Sequence, residues 1–217
     1  MSPEPGLVYE RDPARIYAES FEIIAREARL DHLAPGDHDL AIRVIHACGM
    51  PEIAAELVIS PGAVAAGRDA LGQGRPIFCD SEMVARGIIA RALPAGVRPV
   101  VTLNDPDTAT RARALGTTRS AAAVEAWLPD LEDSVVAIGN APTALFHLLE
   151  GLAAGWPRPA LILGFPVGFV GAAESKQALA TLGHGVPFAT LPGRRGGSAM
   201  AAAAVNALAL GLGGDGM

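Results

Sequence analysis

Two places in the chain set ionisable side chains at spacings that suit work on an anionic ligand. Arg43 and His46 are three residues apart. On a helix, that spacing puts both on one face. The guanidinium would hold an acidic group beside an imidazole, and imidazoles exchange protons near neutral pH. The second place is Arg194-Arg195-Gly196-Gly197-Ser198. There two cations lead into a helix start, a combination that suits carboxylates or phosphates. Upstream lies Gly164 to Lys176, GFPVGFVGAAESK. Its Lys does not directly follow the last Gly, so it is not a P-loop, and its glycines do not fall as G-x-G-x-x-G. Free N–H groups at a helix start after Gly171 would still suit an anion. Glu174 and Lys176 flank Ser175 there and read as a solvated first turn.

Other chemistry finds little support. Cys48 falls on the apolar stripe of its expected helix, which reads as an inert buried thiol. Ser60, Ser120, Ser134 and Ser198 lack a nucleophile-elbow context. His32, His38, His147 and His184 read as helix-end or loop residues. No His pair has zincin spacing and no Cys/His cluster appears, so no protein-bound metal is expected. Cys48 and Cys79 are the only cysteines, so there is no disulfide framework.

The elements that must position these residues are legible in outline. Asp12-Pro13 reads as an N-cap with Pro at the first helical position. Tyr17, Phe21, Ile24 and Ala28 follow at helical spacing, with Ser20 on a neighbouring face. A second helix is expected from Asp37 to Gly49, with Ala41, Val44, Ile45 and Cys48 inward. Short apolar runs then alternate with helical segments. The expected strands are 76–79, 99–103, 135–138, 160–163 and 187–191, each followed by a turn or helix-start signal. That rhythm predicts an α/β fold: one domain over 1–217, mainly a parallel sheet flanked by helices on both faces. The helical N-terminal part spans about 12–50 and the α/β part about 51–212. Ligands in such sheets sit beyond the carboxyl ends of the strands, so the five junctions should converge on one cleft. Trp127 and Trp156 read as packing residues.

Composition narrows the partners. The chain has 217 residues, half of them hydrophobic, enough for one sizeable core. Only 18% are charged, which predicts apolar surface buried in an oligomer. A net charge of −6 argues against nucleic acid or an anionic membrane as partner. The start, MSPEPGLVYERDP, lacks the pattern of a signal peptide. The longest apolar stretch, Ala199 to Leu210, is too short to span a membrane. A cytoplasmic protein is expected.

Six segments, taken in order, resemble the precorrin-8X methylmutase family. They are Arg43–Gly49 (RVIHACG), Pro76–Val84 (PIFCDSEMV), Thr117–Ala122 (TTRSAA), Val135–Leu145 (VVAIGNAPTAL), Pro166–Lys176 (PVGFVGAAESK) and Gly196–Met200 (GGSAM). The resemblance runs over almost the whole chain. It implies an isomerase of cobalamin biosynthesis that moves a methyl group from C-11 to C-12 of precorrin-8X by a [1,5]-sigmatropic shift, giving hydrogenobyrinate. A cobalt-precorrin-8 form of the reaction is the alternative, and a tetrapyrrole carrier without catalysis is another. It further implies a homodimer, no cofactor and no metal. Such a shift needs no nucleophile, only the right tautomer in the right shape. The family's catalytic histidine maps onto His46, which would exchange a proton with the macrocycle. The substrate's acetate and propionate arms would meet Arg43 and Arg119, with Lys176 and Arg194 as further cations. Ser20, Thr102, Asn140 and Ser198 would supply neutral contacts. Backbone N–H groups at Gly164–Gly171 and Gly197–Ser198 would take the remaining arms. Tight recognition also suggests that product waits for hand-off to the next pathway enzyme.

Overall fold

A strand covered on both faces needs no polar alternation. Ile77–Cys79, Val135–Ile138 and Leu161–Gly164 are such runs, buried at every position. In the computed structural model, which describes residues 7–211, they form the centre of a six-stranded sheet. Residues 1–6, part of the segment read as lacking a leader, and 212–217, at the end of the expected domain, lie outside the described residues. In chain order the elements are α1 (Pro13–Glu27), α2 (His38–Cys48), β1 (Val58–Ile59), α3 (Ala63–Gly72), β2 (Ile77–Cys79), α4 (Glu82–Gly87) and β3 (Pro99–Val100). Then come α5 (Thr108–Leu115), α6 (Arg119–Val124), β4 (Val135–Ile138), α7 (Pro142–Ala153), β5 (Leu161–Gly164), α8 (Ala172–Leu182), β6 (Phe188–Thr190) and α9 (Ser198–Gly211).

The five expected strands pair in parallel in the order β6-β5-β4-β2-β3. Two details differ from the sequence reading. β3 stops at Val100 rather than Leu103. The Thr102 carbonyl accepts the Thr108 hydroxyl at 2.7 Å and the Asp105 N–H, so the chain turns there and leaves the ladder. A sixth strand, β1, lies antiparallel on β6, with Val58 opposite Thr190. It has two residues before Ser60-Pro61, too few to show a period. The Phe188 N–H donates to Ser60 Oγ at 2.7 Å and fixes the pairing.

Alternate residues of the buried strands feed two cores. Ile77, Cys79, Val135, Ala137, Leu161 and Leu163 face α2, α3, α4 and α9. Phe78, Val136, Ile138 and Ile162 face Trp127, α7 and α8 on the other side. Helix α9 carries the apolar run Ala199 to Leu210 and is buried from Met200 to Ala209. Its small side chains admit close neighbours: a Cβ on Gly87 of α4 would lie 2.7 Å from Ala202 Cβ. The polar exception, Asn206, is satisfied. It accepts from the Ile89 N–H at 2.8 Å and donates to the Gly87 carbonyl at 3.0 Å. Among the described residues no helix is long and apolar enough to cross a membrane.

Candidate functional site

Helices α1 and α2 build the first part of the site. Asp12 Oδ1 accepts the Ala14 N–H at 2.9 Å and starts α1 where the sequence suggested. Gly49 ends α2 with φ +68°, a conformation that glycine adopts without penalty. On α1, Tyr17, Ser20 and Phe21 fall at i, i+3 and i+4, one face of the helix. That face meets Arg43 and His46 of α2. Ser20 Oγ lies 2.9 Å from His46 Nδ1. Nε2 is the ring nitrogen without a protein partner among the described residues. Phe21 packs on the imidazole with ring centroids 5.3 Å apart and stacks on Tyr17 at 4.4 Å. Arg43 Nη1 donates to the Tyr17 hydroxyl, and its guanidinium lies 5.3 Å over the Phe21 ring. The imidazole is therefore oriented by Ser20, wedged by an aromatic pair, and exposed beside a cation.

Cys48 departs from expectation. At the end of α2 it is half-buried rather than buried, with Sγ–H on the Ile45 carbonyl at 3.3 Å. Burial pushes its thiol pKa up. His147 also departs from a helix-end or loop place. It lies in mid-α7, half-buried, with Nε2 3.3 Å from Glu125 Oε1.

The second part lies beyond the carboxyl ends of the strands. From β2 the chain passes to β3 on one side; from β4 it passes to β5 on the other. This is the switch point at which an open α/β sheet forms a crevice. Here the crevice is bridged by the protein's own Asp80, which is 2% exposed. Its carboxylate accepts the N–H groups of Gly139 at 3.0 Å, Asn140 at 2.9 Å and Ala141 at 2.7 Å. Burial raises its pKa, and those three donors act in the opposite direction. The turn that carries Asn140 is thus pinned to the end of β2. Ser198, at the start of α9, packs on the same turn: a Cβ on Gly139 would lie 2.7 Å from Ser198 Cα.

Beside this turn, at the start of α6, Arg119 is exposed and donates to the Leu103 carbonyl at 3.0 Å and Asn104 Oδ1 at 2.9 Å. Those bonds use two of its five donors, both on Nη2, and leave three for a ligand. Thr102 is buried below it. Its hydroxyl donates to the Ala123 carbonyl at 2.8 Å and accepts from Trp127 Nε1 at 2.9 Å. That hydroxyl is committed inside the protein. A bond between the hydroxyls of Thr118 and Thr143, at 2.8 Å, ties the start of α6 to the start of α7.

The third part is the basic loop. Arg194 is exposed, with its guanidinium 5.4 Å over the Phe169 ring. Arg195 is ion-paired with Glu56, beyond α2. Lys176 does not stand in a solvated turn. It is 1% exposed and its ammonium donates to the Arg195 carbonyl. Burial, with Arg195 nearby, lowers its pKa to about 8. Three of the backbone donors expected to take substrate arms are already used: the Phe165 N–H donates to the Ile138 carbonyl, the Gly168 N–H to the Arg194 carbonyl and the Gly197 N–H to the Phe165 carbonyl.

The structure therefore joins Ser20 directly to His46 and links Arg43 to them through Tyr17 and Phe21; it sets the turn that carries Asn140 against Ser198 and ties Lys176 to the Arg194 loop. Arg119 stands at the neighbouring strand end. Sequence reasoning missed three contributors. Tyr17 and Phe21 read only as residues at helical spacing, yet they are half-buried and line the His46 face. Asp80 passed for a turn residue. Lys176 had a visible signal, because Ala172, Ser175, Lys176 and Leu179 form one buried i, i+3, i+4, i+7 stripe.

Comparison with known proteins agrees along the chain. A family profile described as precorrin-8X methylmutase matches residues 15–210. The precorrin-8X methylmutase of Pseudomonas aeruginosa is 59% identical over 201 residues, covering 93% of this chain and 97% of that protein. That of a Sinorhizobium species is 56% identical over 205 residues, covering 94% and 98%. A crystal structure of precorrin-8X methylmutase from Thermus thermophilus superposes with a TM-score of 0.82 at 36% identity, covering 93% of this chain and 99% of that one.

Proposed function

The chain belongs to the precorrin-8X methylmutase family, isomerases of cobalamin biosynthesis, and from that premise we propose how its own residues perform the reaction. The substrate is precorrin-8X and the product hydrogenobyrinate. The methyl group leaves C-11 as it bonds to C-12, within one molecule, with no external electron carrier. His46 exchanges a proton with the macrocycle through Nε2 and so selects the tautomer that migrates. Ser20 holds the ring through Nδ1. Arg43, Arg119 and Arg194 bind carboxylate arms, and Ser198 and Asn140 add neutral contacts. The observation that carries this reading is the Ser20–His46 hydrogen bond on an exposed face that also presents Arg43.

The cobalt-free substrate is favoured over cobalt-precorrin-8 by the two bacterial relatives above, whose names specify precorrin-8X. A homodimer is supported by the apolar side chains left outside one protomer, among them Phe169 at 84% and Val170 at 89% exposure. Sedimentation velocity at micromolar concentration should give twice the monomer mass; a monomer would remove this part. We place the enzyme in the cytoplasm, where its product passes to the next pathway enzyme. Rapid escape of hydrogenobyrinate in stopped flow would argue against hand-off.

An absorbance assay tests the reaction itself. Added precorrin-8X should convert to the hydrogenobyrinate spectrum with turnover. A bound-state spectrum that persists without conversion would indicate a tetrapyrrole carrier instead.

A further inference from the structure

Lys176 is the buried cation that the mechanism above does not use. It sits at the centre of α8, 1% exposed. Among the described residues no carboxylate lies within ion-pairing distance of it. Its partner is neutral, the carbonyl of Arg195. A buried ammonium with one neutral acceptor is a costly way to fill a core site, because desolvation is offset by a single hydrogen bond.

What that bond does is visible in the loop above it. Arg195 is held at both ends: its carbonyl by Lys176, its guanidinium by Glu56. Two further bonds fasten the same loop, from Gly168 to the Arg194 carbonyl at 3.2 Å and from Gly197 to the Phe165 carbonyl at 2.8 Å. Gly196 lies so close to the backbone that a Cβ would come 2.6 Å from the Pro166 carbonyl oxygen. The adjacent arginines therefore have different tasks. Arg195 is an anchor. Arg194, four residues before the start of α9, has no ion pair among the described residues, and its guanidinium lies over the Phe169 ring.

We propose that Lys176 is a positioning residue for substrate binding: through the Arg195 carbonyl it sets the loop so that Arg194 and the first turn of α9 meet one carboxylate arm of the tetrapyrrole. It does this from inside the protein and does not touch the substrate. This rests on the assignment of Arg194 as a carboxylate ligand made above.

Steady-state kinetics with precorrin-8X on the full-length protein test it, using Lys176→Met, Arg194→Ala and the double variant. Each single change should raise KM about tenfold and leave kcat within about threefold, the size expected for a lost ligand or its supporting contact. The double variant should be no worse than the poorer single, because both act on one contact. Multiplying KM effects would show Lys176 acting independently of Arg194 and overturn the proposal. An unchanged KM for Lys176→Met, with Arg194→Ala raised, would overturn it alone. An unchanged KM for Arg194→Ala would instead remove the Arg194 assignment beneath it. Should Lys176→Met fail to fold, Lys176→Gln is measured and judged by the same outcomes.

Discussion

At the residue scale the proposed reaction turns on how one imidazole is held. His46 meets Ser20 through Nδ1 and packs against the Phe21 ring, which leaves Nε2 without a partner among the described residues. A ring held by one nitrogen presents the other in a fixed direction, and proton exchange is efficient only within hydrogen-bond reach of the acceptor. Ser20→Ala should therefore lower kcat by about tenfold, as losses of such supporting contacts do, with KM little changed. Equal rates for variant and wild type would show that the bond is incidental. The spacing of Arg43 and His46 was readable because three residues on a helix bring two side chains together. The partners on α1 were not, since Ser20 and His46 are 26 residues apart and only the docking of α1 on α2 joins them. Asp80 escaped for the same reason. It answers N–H groups 59 to 61 residues ahead, which become its neighbours only once β2 and β4 pair.

At the scale of elements, short buried strands between turn signals were legible because they need both apolar runs and punctuation. The second helix was found within a residue at each end. What periodicity could not reveal was a two-residue strand, or the role of α9. That helix read as an apolar stretch too short for a membrane; in the structure it is the central packing element of one layer, and its first residue abuts the turn after β4. The fit between them is tight. A Cβ at Gly139 would meet Ser198 Cα at 2.7 Å, Ala201 Cβ at 2.9 Å and Val84 Cγ2 at 2.9 Å. One of these is backbone, so relaxation must move α9. Gly139→Ala should destabilise the fold by about 1–3 kcal/mol, the usual result of overpacking. Because Asn140 and Ser198 flank the contact, substrate binding should weaken as well. Chemical denaturation and KM together check this. Unchanged values of both would show that the turn and α9 are not rigidly coupled.

At the scale of the whole molecule, a net charge of −6 is combined with the three arginines proposed to bind carboxylate arms, Arg43, Arg119 and Arg194. An anionic ligand must be drawn to such cations locally, against the overall charge. The buried ammonium of Lys176 adds to the local positive charge at a price in stability. Its pKa falls from 10.5 to about 8 through burial and the nearby Arg195. Below pH 8 it is protonated in folded and unfolded chains alike, and the folded state bears the full penalty. Between 8 and 10.5 the unfolded chain binds more protons, so this group makes stability rise with pH. The Cys79 thiol, pushed up by burial, acts in the opposite sense in alkali. Comparing wild type with Lys176→Met cancels the thiol. The variant should be the more stable below pH 8, by up to about 3 kcal/mol, and its advantage should fade by pH 10.5. An advantage that does not change with pH would contradict this origin.

The central claim is that His46 moves the proton that permits methyl migration, while other residues hold the substrate. The most direct measurement compares wild type and His46→Ala in the precorrin-8X absorbance assay, with binding followed in the same cuvette. His46→Ala should bind the tetrapyrrole and lose at least about a hundredfold in turnover, the lower range for a general acid–base group. Turnover at the wild-type rate by His46→Ala would contradict the account.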